Sequence, residues 1–174
     1  MTWIEWIKIA LTGIFIGLAV ISDYKEYKIK NISVVAFLIA GLLFNLITAG
    51  TPGLYDSILG LLIPLILLPL FALRMLGAGD IKAFCAIGSI VGLKMNAFIL
   101  LYSFLVGGIL ALGFMILRKN ALERFKKLGS YLYRCLIEKK LLSYDSFTDE
   151  KSKFRFSLGI FGGFICTFII RLAS

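Results

Sequence analysis

From Ser57 to Leu73 the chain carries no charged side chain, and from Ala83 to Leu93 it again carries none. Between these apolar runs lies one short polar stretch, whose centre reads Gly77-Ala78-Gly79-Asp80-Ile81-Lys82. Runs of this kind are stable in lipid, where every backbone polar group must be satisfied within the segment and a helix is the simplest solution. An ionisable residue pressed against such runs is expensive, and its default reading is functional. The competing reading is an aspartate that only caps the helix after it. A second aspartate, Asp23, decides between them, because it too stands at the end of an apolar run.

The whole chain shares this character. It has 174 residues, 60% of them hydrophobic, with a mean hydropathy of +0.95. At about 20 residues per span, it reads as an all-α integral membrane bundle of six transmembrane helices in a single domain, 1–174. The expected spans are Trp3 to Ser22, a second run ending at Ala49, Leu54 to Leu73, Ile81 to Leu93, a fifth ending at Leu117, and Phe156 to Ile170. The first run leads into further spans, so it reads as a span rather than as a cleaved signal. Pro64 and Pro69 are expected to bend the third, and Trp3 and Trp6 suit a membrane interface. The chain has no histidine, which excludes Ser-His and Cys-His pairs, and its three cysteines form no CxxC motif.

Basic residues orient the bundle. Sixteen of the nineteen fall on one side of the six-span layout: three in the first loop, two beside the glycine stretch and eleven from Arg118 to Arg155. The positive-inside rule then places both termini outside and Asp23 and Asp80 together at the cytoplasmic face of a cell membrane. Over 118–155, Leu122, Phe125, Leu128, Leu132 and Leu136 recur at helical spacing among basic residues, as in an amphipathic segment lying on the cytoplasmic leaflet. The net charge of +9 calls for anionic lipid headgroups rather than nucleic acid. Three GxxxG pairs, Gly13/Gly17, Gly88/Gly92 and Gly159/Gly163, predict a close core of the first, fourth and sixth spans, which would bring the two aspartates together.

Two carboxylates sharing a proton can act as base toward water and acid toward a peptide carbonyl, with no metal or cofactor. The bland alternative pairs Asp23 with Lys25 or Lys28, and Asp80 with Lys82. The helix N-terminus and Lys82 are expected to favour an ionised Asp80, leaving Asp23 as the protonated acid.

These residues resemble the type IV prepilin peptidases, membrane aspartic endopeptidases. Gly77-Ala78-Gly79-Asp80-Ile81-Lys82 matches the family's GxGDxK motif. Asp23, with Ile29 and Asn31 six and eight residues on, matches its Asp-x5-Ile-Pro-Asn signature, with Lys30 in place of the proline. Phe154 to Gly159 loosely resembles the Pro-Phe-Gly-Pro start of the family's final helix. The resemblance implies Asp23 and Asp80 as the catalytic pair, shaped by Gly77, Gly79, Lys82 and Asn31. It implies a prepilin-like substrate whose basic leader is cut after a glycine, just before a hydrophobic helix. It also implies a peptidase without the methyltransferase domain of longer members, like the short forms serving tight-adherence pili or archaeal flagellins. The presenilin group shares GxGD but resembles a Tyr-Asp first motif, whereas the order here is Asp23-Tyr24. An ion- or proton-coupled transporter using Asp23 and Asp80 is the alternative. Oligomeric state is not legible.

Overall fold

A computed structural model describes residues 2–26, 29–72, 76–117 and 156–173. The expected amphipathic segment at 118–155 lies outside them. Among the described residues every regular element is helical: α1 (Trp3–Glu26), α2 (Asn31–Leu62), a 3₁₀ turn (Ile63–Leu67), α3 (Leu68–Ala72), α4 (Ala78–Val91), α5 (Leu93–Leu117) and α6 (Ser157–Ala173).

Local chemistry sets the ends. α1 starts with half of a capping box: the Glu5 carboxylate accepts the Thr2 N–H at 3.0 Å, covering a donor the helix leaves open. α2 is broken at Gly50, whose φ of 64° and ψ of −149° suit glycine, and Pro52 sits in the turn that follows. α4 is bracketed by glycines. Gly77 precedes it in extended conformation, and Gly92, at φ 84°, ends it with its N–H donating to the Gly88 carbonyl at 2.9 Å.

Contacts along α4 give the path of the chain. Asn31 meets Lys82, and Asn45 meets Ser89 and Ile90. Past the break at Gly50, Asp56 accepts the Leu93 N–H, and Gly60 then lies against Gly88. The partners run forward along α4 and then back, so α2 is a helical hairpin that reverses at Gly50. The expected division into two runs is therefore present as a turn inside one element. α1 and α6 lie antiparallel, with Asp23 beside Ser157 at one end and Glu5 paired with Arg171 at the other. α5 and α6 are antiparallel too, since Ser103 meets Gly163 while Gly107 meets Gly159.

Among the described residues, three stretches are long and apolar enough to cross a membrane: Trp3–Lys25, Asn31–Ala72 and Leu93–Gly113. α4 has 14 residues, about 21 Å at 1.5 Å each, short of a hydrocarbon core of about 30 Å. It forms the centre of the bundle. Nine of its residues are buried, among them Phe84, Ala86, Ile87 and Ile90 at 0% exposure. A helix apolar on every side belongs inside other helices. Leucine and isoleucine side chains on α1, α2 and α5 face outward, as lipid-facing surfaces do.

The glycine expectation needs correction. Gly88 does not join α4 to α1 or α6; a Cβ there would stand 2.0 Å from the Gly60 carbonyl oxygen, so it serves the α2–α4 crossing. Gly159 and Gly163 pack against α5, at Gly107 and Ser103, and Gly17 has nothing within 4 Å. Buried amides tighten the α2–α4 contact. Asn45 Nδ2 donates to the Ser89 and Ile90 carbonyls at 3.0 and 2.9 Å, and Asn96 Nδ2 to those of Gly60 and Phe84 at 2.8 and 3.2 Å. Each such bond contributes about 0.6 kcal/mol in a membrane setting. α1, α4 and α6 do meet, largely through Phe15, Ile16, Ala83, Ile87 and Ile160, and of the predicted glycines Gly13 lies against Phe164 of α6.

Candidate active site

Asp80 occupies the first turn of α4, outside the three long apolar helices. Its N–H donates to the Gly77 carbonyl at 3.1 Å. The side chain folds back over Gly77, where a Cβ would come within 3.0 Å of Asp80 Oδ2. Gly77 is therefore small because the carboxylate lies on it. Gly79 rests on Ile29 of the α1–α2 junction, and a Cβ there would make only ordinary contact at 3.7 Å. Nothing in the structure explains why that position is glycine.

Asp23 lies in the last turn of α1, half-buried, and is close enough for its charge to act on Asp80. The two aspartates thus meet at one end of the bundle although 57 residues separate them in the chain, 80 minus 23. Ser157, at the start of α6 and 2% exposed, donates its hydroxyl to Asp23 Oδ2 at 2.6 Å. Lys82, exposed, donates from Nζ to Asn31 Oδ1 at 3.2 Å. Among the described residues the alternative pairing of Lys82 with Asp80 is not found; the ammonium joins the start of α2 to α4 instead. Beside Ser157, α1, α4 and α6 close on an apolar seam lined by Ile29, Ala83, Ile87 and Ile160, among others.

The surroundings of Asp80 work against the ease of ionisation expected there. Burial first, and the negative charge of Asp23 second, push its carboxyl up to about 6, against a smaller opposing pull from a hydrogen bond to the Gly77 backbone. The helix N-terminus and Lys82 were expected to favour ionisation. The terminus contributes a small effect, and Lys82 is turned toward Asn31. Asp80 therefore takes up a proton more readily than an ordinary aspartate.

All six site residues expected from the sequence lie at this end: Asp23, Asp80, Gly77, Gly79, Lys82 and Asn31. Ser157 was missed. The loose likeness of Phe154 to Gly159 to a family motif marked the right neighbourhood, but a serine at a helix start carries no sign of a distant partner.

A helical bundle with long apolar helices and two acids gathered at one end defines a membrane protein with a carboxylate site. Residues 10–112 match the type IV leader peptidase family. The chain belongs to that family and is a peptidase, which removes the transporter alternative. No curated protein and no solved structure matches it.

Proposed function

We propose that the chain is a membrane aspartic endopeptidase that removes the basic leader of type IV prepilin-like proteins at the cytoplasmic face. The observation that carries this reading is the meeting of Asp23 and Asp80 at one end of the bundle, in a chain of a leader peptidase family. In this reading the bundle crosses the membrane six times, with Gly50 and Gly92 turning on the outer side. The concentration of basic residues near the aspartate end supports that orientation.

Catalysis then follows from the pair. Asp23 takes a proton from a water molecule as the water oxygen bonds to the scissile carbonyl carbon. Asp80 gives its proton to the carbonyl oxygen, producing a neutral tetrahedral intermediate. Collapse breaks the C–N bond as a proton passes to the amide nitrogen, releasing a carboxyl terminus and a new amine. The basic leader of the substrate stays at the aqueous edge beside the pair. Incubating the purified protein with a prepilin-like substrate and identifying the products by mass tests the reading. Release of the intact leader is expected, and an uncut substrate would refute it.

A further inference from the structure

Serine at the first position of a helix ordinarily turns its hydroxyl to its own backbone or to water. Ser157 does neither. It is 2% exposed, and its hydroxyl reaches a carboxylate 134 residues earlier in the chain. The start of α6 is well anchored. The Phe156 carbonyl accepts the Ile160 N–H at 3.1 Å, and the Phe156 ring packs against Phe104 and Phe84 at centroid distances of 5.1 and 6.3 Å. α1, by contrast, ends three residues after Asp23, and Tyr24 and Lys25 are exposed. The rigid partner in this contact is the serine, and the aspartate is the group being held.

We propose that Ser157 is the positioning residue of Asp23: its hydroxyl takes Oδ2, fixes the carboxylate rotamer, and leaves Oδ1 free for the reacting water and for Asp80. This inference rests on the catalytic reading of the pair and adds a residue outside the matched span of 10–112. A hydrogen bond of 2.6 Å lies in the short range typical of a hydroxyl on a carboxylate. Such bonds are among the stronger ones in proteins, and a misplacement of about 1 Å at a reacting group costs about a hundredfold in rate. A residue acting through orientation lowers turnover and leaves substrate binding alone.

The test compares Ser157→Thr with Ser157→Val in the purified full chain, together with Asp23→Asn. Threonine and valine have nearly the same shape, so the pair isolates the hydroxyl. Valine is expected to lower kcat about ten- to a hundredfold with KM within about twofold. Threonine should recover most of the rate, and both variants should share one melting temperature. Equal kcat for the two variants would overturn the positioning role, whether both are active or both impaired. Full cleavage by Asp23→Asn would instead overturn the catalytic reading of the pair itself.

Discussion

Replacing Gly88 with alanine tests how the buried helix holds Asp80 in place. The new Cβ would lie 2.0 Å from the Gly60 oxygen, 2.4 Å from the Gly60 carbonyl carbon and 2.5 Å from Asn96 Nδ2. Two of the three are backbone atoms that cannot rotate away, so α4 and the returning leg of α2 must separate by more than 1 Å. Overpacking of this kind costs about 1–3 kcal/mol. The Asn96–Gly60 hydrogen bond of 2.8 Å lies at the same point and adds about 0.6 kcal/mol if it breaks. The sum, about 2–4 kcal/mol, corresponds to a fall in melting temperature of roughly 5–15 °C for a chain of this size. Asp80 is eight residues along α4, about 12 Å away, on a helix that moves as one body. Leader cleavage should therefore fall by about tenfold or more even in the fraction that stays folded. Thermal unfolding in detergent and single-turnover cleavage would measure both effects. Gly17→Ala is the control, since nothing lies within 4 Å of its new methyl. A Gly88→Ala protein as stable and as active as the Gly17→Ala control would refute the close crossing and the reasoning built on it.

Two further outcomes are expected. In Asp23→Asn, carboxyl-specific infrared titration should show the Asp80 midpoint moving below about 6, because the neighbouring negative charge that raises it is gone. It should stay above an ordinary aspartate, since burial is the larger cause; an unmoved midpoint would separate the two residues. For Lys82→Ala, Asn31→Ala and the double variant, cleavage losses should be non-additive, because both singles remove one shared hydrogen bond. The lysine is exposed, so the coupling should stay within about 0.2–1 kcal/mol, a few-fold in rate. Strict additivity would show that the bond is not formed in the working enzyme.

The sequence carried much of the site because its motifs encode backbone needs as well as chemistry. Gly77 lies under the Asp80 carboxylate, and Ile29 and Asn31 sit at the spacing that lets them meet Gly79 and Lys82. Helical class was equally legible, since uninterrupted apolar runs leave few alternatives. Partner choice was not. A GxxxG pair states that a backbone comes close without naming which one, and Gly88 and Gly159 chose α2 and α5 over the expected core. The fourth run is short and buried among other helices, surroundings that an apolar sequence alone does not distinguish from lipid. The upward push on the Asp80 carboxyl was hidden for a related reason. Lys82 is near Asp80 in the chain, but its ammonium bonds across to Asn31. Ser157 left no trace because its meaning depends on α1 and α6 lying side by side.

The central claim is that Asp23 and Asp80 together cut the substrate. The direct measurement is cleavage of a prepilin-like substrate by purified Asp23→Asn and Asp80→Asn proteins, each compared with the parent chain at equal folded concentration. Asparagine keeps the volume and removes the ionisable group, so both proteins should fold with near-parental melting temperatures. Each variant should release no leader above the uncatalysed background. Leader release at a rate close to the parent's by either one would contradict the account.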